Sequence, residues 1–431
     1  MRIDKITDYV MILFMSILFL PVFYLNFNTK QFIGYNIIGF NSVFYTLHLL
    51  ILIRKPVVFV SRPMLYAYLY YFIFFVYSVS GYFDTSNMWF WHYQKPVYIS
   101  TLIYTYYYIR KDYKGFALIV SWALAFITIS AILNIIQLHR YPDAARFMFM
   151  GARSQGYIAL EEFYTRIGVA GYVFTNGVTY LVPVGIGLFK YGHTRFLSNF
   201  GLVFVILISY SVLLSSITAP ILVVAIGITI SLMGRVRLKA SLFILFFFAI
   251  MLTAIPKTFY ANMFYYASYT VKNKDVAVRL KDIGTSIETG IDVNDPETSM
   301  DNRAERIPRN ISRFMESPLV GNAPEKVGDE QNFHTFWLYY FAQFGLVGGM
   351  PLLIALFSNI RRNLPLIGSE FQFYYLTSVL MFFLLGILKG FANYMLIYFM
   401  IITPGICLLE KLRRDVVVVG ETLPQPAPTQ A

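Results

Sequence analysis

The chain has 431 residues, of which 57% are hydrophobic and 13% are charged, and its mean hydropathy is +0.59. This composition excludes a soluble globular domain and predicts an integral membrane protein. The formal net charge of +12 is explained by basic loops on one side of a membrane, so it does not indicate nucleic-acid binding. A single cysteine, Cys407, excludes an internal disulfide and a cysteine metal cluster.

Apolar stretches long enough to cross a bilayer recur along most of the sequence, separated by short polar or basic breaks. Stretches of this length fit helices and not barrel strands. We therefore predict an all-α integral membrane protein with about twelve transmembrane helices. The predicted spans are residues 7–26, 33–53, 64–83, 89–109, 115–137, 168–190, 197–215, 218–233, 240–256, 335–357, 371–388 and 390–410.

The basic residues predict which side of the membrane each loop occupies. On one side, the short loops contain only Lys30, Lys95 and Lys389. The opposite side contains Arg2, Lys5, Arg54, Lys55, Arg62, Arg110, Lys111, Lys114, Lys190, Arg195, Arg235, Arg237, Lys239, Arg361, Arg362, Lys411, Arg413 and Arg414. By the positive-inside rule both termini are cytoplasmic, and two large segments, 138–167 and 257–334, lie outside. The longer one lies between the predicted helices 9 and 10.

This arrangement divides the chain into four regions. Residues 1–256 contain the first nine helices, and residues 257–334 form a large outer loop with short helices. Residues 335–414 contain the last three helices, and the Pro-rich residues 415–431 form a disordered cytoplasmic tail. The first span has no small-residue cleavage site after it, so we expect a retained anchor and not a signal peptide.

The longer outer segment contains a cluster of arginines in the stretch "NRAERIPRNISRF". These are Arg303, Arg306, Arg309 and Arg313. On a helix the last three lie within about 60° of arc, and such close like charges repel one another unless an anion lies among them. Pro308 predicts that the helix starts or is kinked there. The alternative is a solvated basic face balanced by neighbouring acidic residues.

The shorter outer segment adds further arginines beside two predicted membrane helices. These are Arg140, Arg146, Arg153 and Arg166. Arginine suits bidentate binding of phosphate or pyrophosphate, so this segment is a second candidate for anion binding.

A histidine precedes an apolar, glycine-containing run in "QNFHTFWLYYFAQFGLVGG", residues 331–349. If a helix begins at about 335, Gly345 and Gly348 lie within about 40° of His334, which favours close helix packing along this face. Gln343 lies on the opposite face and is predicted to form an interhelical hydrogen bond. His334 titrates near neutrality and can accept a proton from a hydroxyl. The alternative is an interfacial histidine without a chemical role.

The other histidines do not form a recognisable metal site. None of His48, His92, His139 and His193 has a carboxylate or histidine partner at helical spacing, so zinc is not predicted. The acidic run "DVNDPETSMD" lacks the central glycine and final glutamate of a calcium loop and is predicted to be a solvated loop.

Three pieces of sequence follow one another in the last third of the chain. Arg303 is followed fifteen residues later by "PLVGN" from Pro318, and then by "HTFWLYYFAQFGLVG" from His334. This order resembles the bacterial O-antigen ligase and polymerase superfamily. Its shared region reads approximately Arg, a helix, Pro-Leu-x-Gly-x-Gly, then His-Asn-x-x-Leu-x-x-x-x-Glu-x-Gly-x-x-Gly. About twelve helices with a long outer loop before the tenth are also similar to that family.

The chain departs from the family pattern at four positions. Thr335 replaces the usual Asn, Gln343 replaces the usual Glu, and Ala323 replaces the second glycine of the Pro-Leu block. Ile217 follows Ser216 where the family often has Ser-Arg, so one expected phosphate-binding arginine is absent.

The resemblance implies an enzyme whose donor is an oligosaccharide on undecaprenyl pyrophosphate at the periplasmic face of the inner membrane. Its diphosphate would be bound by arginines, and His334 would act as general base in an inverting transfer to an acceptor hydroxyl. The predicted binding residues are Arg303, Arg306, Arg140, Arg153 and Arg166. No metal and no other cofactor is expected, because arginines replace the divalent ion.

The family includes two reactions that differ in the acceptor. A polymerase transfers the glycan to another lipid-linked repeat, and a ligase transfers it to lipid A-core; Ile217 and the large outer segments favour a polymerase. A polysaccharide flippase is the alternative from another class, but the spans lack the midplane charges and internal repeats expected of it. The expected partners are the lipid-linked oligosaccharide, a glycan acceptor, membrane lipid and, as a further candidate, a chain-length regulator, with no nucleic acid.

Overall fold

A computed structural model describes most of the chain. The described residues are 3–19, 40–80, 94–142, 144, 163–192, 194–215, 217–234, 257–270, 301–322, 335–389 and 395–409, with single positions at 277, 278, 280, 281, 284, 285 and 288. Regular structure within these ranges is helical and contains no strand.

We number the helices of these ranges α1 to α14. Their bounds are α1 Ile3–Phe19, α2 Phe40–Arg54, α3 Arg62–Val79, α4 Gln94–Arg110, α5 Tyr113–Arg140, α6 Tyr172–Gly177, α7 Val182–Tyr191, α8 Arg195–Leu214, α9 Thr218–Met233, α10 Lys257–Thr270, α11 Asp301–Glu316, α12 Phe336–Asn363, α13 Ser369–Leu388 and α14 Met395–Leu409. Short 3-10 turns lie at Pro56–Val58, Thr179–Leu181 and Leu364–Leu366, and α14 contains a π-helical segment at Tyr398–Ile402.

Several of these helices have the length and composition of membrane spans. Four are long and apolar enough to cross a membrane: Tyr113–Arg140, Arg195–Leu214, Phe336–Leu366 and Ser369–Leu388. Shorter apolar helices are Val43–Arg54, Ala219–Met233 and Met395–Leu409. The described chain therefore has the all-helical, apolar character that the composition predicts, and the number of twelve spans stays a prediction.

Each predicted span contains helix, apart from 240–256, which lies outside the described residues. The predicted span 168–190 is not one helix, however, and that part of the prediction is wrong. Gly168 has a φ of 93°, α6 ends at Gly177, and a 3-10 turn separates it from α7. Pro183 lies in the first turn of α7, where its missing N–H costs least, so a new helix begins there.

The buried side chains form one large apolar cluster that includes residues of most of the helices. Near its centre the rings of Phe382 in α13 and Phe399 in α14 stack with centroids 3.9 Å apart, and Tyr180 contacts both rings edge-on. Helix α3 packs against α4 and α12, while α5 packs against α1 and α8. These contacts give the helices fixed neighbours despite the irregular segment before α7.

A buried asparagine joins α5 to that irregular segment. Asn134 Nδ2 donates to Ser211 Oγ of α8 at 2.8 Å, and Asn134 Oδ1 accepts from the Ala170 N–H at 2.8 Å. Asn134 is fully buried, so these bonds satisfy polar groups that lie away from water. One side chain thus fixes the backbone just before α6.

We expect Asn134→Leu to lower the free energy of unfolding by about 2 kcal/mol, because the Ala170 N–H loses its acceptor. Thermal unfolding of the purified protein in detergent measures the change. Gln137→Leu is the matched control, because Gln137 lies on the same helix and its side chain has no hydrogen bond to a described residue. Equal unfolding midpoints for the two variants would contradict this role of Asn134.

Candidate functional site

The arginine-bearing helix α11 packs against the beginning of α12. Asn310, which is fully buried, donates from Nδ2 to Thr335 Oγ1 at 2.8 Å, and the rings of Phe314 and Phe341 are in edge-on contact at 6.4 Å. Thr335 is the residue that immediately follows His334 in the chain. Helix α11 is therefore attached to the residue that follows the predicted base, His334.

The register of α11 determines which arginine positions face α12. Position 303 precedes Asn310 by seven residues, so the two lie within about 20° on the helix, and position 306 lies about 40° from Asn310. Position 309 lies about 100° away, and the Arg309 side chain is exposed. Positions 303 and 306 thus share the side of α11 that meets α12.

Helix α11 runs from Asp301 to Glu316 with Pro308 inside it, so of the two predicted alternatives a helix start at Pro308 is wrong, and a kink at Pro308 stays a prediction. Proline in a helix removes one backbone hydrogen bond. Pro308 itself is exposed. The contacts of Asn310 and Phe314 attach the part of α11 that follows the proline to α12.

Helix α12 is interrupted at Gly345, whose φ of 60° and ψ of −165° are not helical. The N–H groups of Leu346 and Val347 donate to the carbonyls of Pro318 and Leu319, each at 2.9 Å. In the other direction, the Asn322 N–H donates to the carbonyl of Ala342 at 2.9 Å. The "PLVGN" loop, residues 318–322, therefore fills the break in α12, and we call this pairing the interlock.

Two glycines of the interlock permit the close backbone approach. Gly321 has a φ of 82°, and a Cβ there would lie 2.3 Å from the carbonyl oxygen of Gln343. A Cβ on Gly345 would lie 2.4 Å from the carbonyl oxygen of Leu319. Both obstacles are backbone atoms, which cannot move aside as a side chain does. The prediction that Gly345 lines a continuous helix face is thus wrong, because this glycine is needed for the break itself.

A tyrosine from α3 completes the interlock. The hydroxyl of the buried Tyr77 donates to the carbonyl of Phe344 at 3.0 Å and lies 3.3 Å from the carbonyl of Val320. The Tyr77 ring also lies beside Gly348, and a Cβ added to that glycine would be 3.3 Å from the ring. This close approach agrees with the packing role predicted for Gly348. Gln343 is partly buried, but its side chain has no hydrogen bond to a described residue, so its predicted interhelical bond is not observed there.

The interlock leaves few free hydrogen-bonding groups for a ligand at the break itself. The first N–H groups after a helix break commonly bind anions. Here the amides of Leu346 and Val347 are occupied by protein carbonyls. These two amides are therefore not available to an anion.

A second group of predicted residues lies at and near the end of α5. Arg140 is the last residue of α5 and Arg166 lies in a single helical turn at 163–166; both side chains are exposed. The segments are joined by ring contacts of Tyr141 with Phe163 and Tyr164, each at 6.0 Å. The segments that contain Arg140 and Arg166 are therefore in contact. His334, Arg146 and Arg153 lie outside the described residues, and for Arg303 and Arg306 only the backbone is described.

Comparison with known protein families and with curated proteins finds no match to this chain. Among the residues that the structure describes, no group of three or more His, Cys, Asp and Glu side chains could hold a metal ion.

Two residues of this site were not identified from the sequence. Asn310 could have been found, because a polar residue seven positions after Arg303 lies on the same face of a helix. Tyr77 could not, since it is one of 34 tyrosines and its role depends on a loop more than two hundred residues away.

We expect Gly345→Ala to lower the free energy of unfolding by about 3 kcal/mol, because it combines left-handed backbone strain with the clash against Leu319. Unfolding midpoints of the purified protein measure the loss. Two controls separate the causes: Gly234→Ala meets a φ of 73° in open space, and Gly368→Ala meets neither strain nor neighbours. If Gly345→Ala unfolds at the temperature of Gly234→Ala, the clash with the loop contributes nothing.

Proposed function

We propose that the protein polymerises undecaprenyl-pyrophosphate-linked oligosaccharide repeats, of the O-antigen or capsule type, at the periplasmic face of the bacterial inner membrane. The observation that carries the proposal is the interlock. The three pieces of sequence that resemble the O-antigen polymerase and ligase superfamily belong to a single packed unit. Helix α11 contains position 303, residues 318–322 fill the break in α12, and α12 begins two residues after His334.

In this proposal the arginines bind the diphosphate of the donor. In support, positions 303 and 306 lie on the side of α11 that meets the start of α12, and Arg140 and Arg166 are exposed at and near the end of α5. Arg153 belongs to the same outer segment as Arg140 and Arg166. Guanidinium groups bind phosphate oxygens in bidentate fashion, and they stabilise the pyrophosphate as it leaves with the bonding electrons.

His334 acts as the general base. It takes the proton of the acceptor sugar hydroxyl while the hydroxyl oxygen bonds to the anomeric carbon of the donor. The bond from that carbon to the pyrophosphate oxygen breaks at the same time, and the anomeric configuration is inverted. The arginines supply the positive charge that this departure requires.

A ligase would use the same donor and the same base but transfer the glycan to lipid A-core. Ile217, which stands where the family often has arginine, favours the polymerase. A flippase could use a broken helix such as α12 as an ion or substrate site, as many transporters do. The amides at this break bond to Pro318 and Leu319, which argues against that use.

Deletion of the gene, followed by gel analysis of the lipopolysaccharide, separates these functions. Loss of a polymerase is expected to leave core that carries one repeat, whereas loss of a ligase leaves bare core. For a capsule-type substrate, the same comparison is made on the cell-surface polysaccharide. An unchanged ladder would exclude both enzymes.

Complementation with His334→Ala tests the base. We expect polymer formation to fall by more than about 100-fold, since general-base catalysis commonly contributes that much. His139→Ala is the matched control, because His139 is exposed at the end of α5 and hydrogen-bonds only to Tyr210 and its own helix among described residues. Activity of His334→Ala near that of the control would remove His334 from the mechanism.

The register of α11 yields a separate prediction for its arginines. Arg303→Ala is expected to reduce polymerisation of a lipid-linked donor by about 10- to 100-fold, because a charge-assisted contact with the diphosphate is lost. Arg309→Ala removes the same charge from a position about 100° away and is expected to retain activity. Equal losses in both variants would indicate a general effect of charge and not a directed contact.

A further inference from the structure

A polar cleft lies at the end of α12 that is opposite to the interlock. It is a partly open depression between the start of α3, the middle of α4 and the last turns of α12, and its empty space of about 240 Å³ includes open solvent. The polar side chains that line it are Tyr66, Thr101, Ser358, Asn359 and Arg362. None of the residues that line this cleft is acidic.

Arg362 is held in the cleft by aromatic rings. Its guanidinium carbon lies 5.5 Å from the ring centroid of Tyr104 and 5.8 Å from that of Tyr108. Among the described residues Arg362 has neither a carboxylate partner nor a hydrogen bond, although it is only partly exposed. Aromatic faces stabilise the cation but accept none of its N–H groups in the plane of the guanidinium. Its donors therefore remain available along the edge of this group.

Asn359 contributes a second donor. Its Oδ1 accepts a hydrogen bond from Asn363 Nδ2 at 2.9 Å, and Asn363 Nδ2 is also 3.2 Å from the hydroxyl of Tyr375. This network occupies the oxygen of Asn359, a residue that lines the cleft, and its Nδ2 group has no hydrogen bond to a described residue. Thr101, a buried residue that also lines the cleft, adds a hydroxyl that has no hydrogen bond to a described residue.

The cleft thus offers donors and a cation with no acidic group to oppose them. A partly buried guanidinium without an anion is unfavourable, and phosphate oxygens match its geometry. Arg362 lies near the end of Phe336–Leu366, a candidate membrane span, where lipid headgroups meet such a helix. The first residue of α3, Arg62, adds positive charge that attracts anionic lipids.

We propose that this cleft binds the phosphate of an anionic lipid headgroup, with Arg362 and Asn359 as its principal donors. The site is separate from the outer arginines and does not depend on the proposed polymerase. The ligand joins α3, α4 and α12 at this end of the protein, so binding also stabilises the packing of these three helices.

The test uses the full-length protein in detergent, titrated with phosphatidylglycerol, with phosphatidylcholine and with inorganic phosphate. Binding is counted by native mass spectrometry and compared with the shift in unfolding midpoint. Phosphatidylglycerol is expected to bind and to raise the midpoint. Arg362→Gln is expected to raise its apparent Kd about tenfold, the effect of one lost charge-assisted hydrogen bond. Arg361→Gln removes the same charge from an exposed neighbour and is expected to leave the Kd unchanged.

Thr101→Val provides a second variant of nearly unchanged shape, in case Arg362→Gln reduces the yield of folded protein. It is expected to weaken phosphatidylglycerol binding about threefold, because one neutral donor is lost. Binding like that of the unaltered protein in both variants would overturn the proposal. A midpoint shift with inorganic phosphate as large as that with phosphatidylglycerol would overturn the assignment to a lipid.

Discussion

Backbone N–H and C=O groups that lie away from water need partners, and this requirement governs the arrangement around Gly345. A break in α12 leaves backbone amides and carbonyls without their helical partners in an apolar surrounding. Each unpaired group there costs about 1–3 kcal/mol of folding free energy. Residues 318–322 supply the partners, and Tyr77 supplies one more. The loop and the helix therefore depend on each other: without the loop the break is unfavourable, and without the break the loop has no place to bind.

The interlock also determines where α11 lies. Residues 318–322 follow this helix directly, so fixing them fixes its carboxyl end, and Asn322 Nδ2 donates to the carbonyl of Arg313 in the last turn. The bond from Asn310 to Thr335 fixes the middle of the helix against α12. Two attachments prevent both rotation and sliding, so the arginine positions acquire a defined relation to the chain beside His334. A flexible basic loop would have to lose more entropy to bind a diphosphate.

The sequence alone was sufficient to predict helices and to indicate which segments belong together, but it was insufficient to predict the break in α12. Long apolar stretches predict helices because a backbone in lipid must satisfy its own hydrogen bonds, and few other structures can do so. The order of Arg303, "PLVGN" and His334 indicated which segments belong together. The break at Gly345 could not be predicted. A glycine in an apolar run is equally compatible with a helix break and with close helix packing. Only the backbone hydrogen bonds to Pro318 and Leu319 distinguish the two. In the same way, Pro308 is compatible with a helix start and with a kink inside a helix, and only the structure shows that α11 runs through it.

The two ends of α12 differ in how their polar groups are satisfied, and this difference indicates where ligands bind. At the interlock, donors and acceptors are matched within the protein, so a ligand would have to displace bonds that are already made. At the opposite end, Arg362 and Asn359 offer donors, and the cleft that they line contains no carboxylate. Anions therefore gain most where the fold leaves donors in excess. By the same reasoning, the break in α12 offers little to an anion, because its amides are already bonded to Pro318 and Leu319.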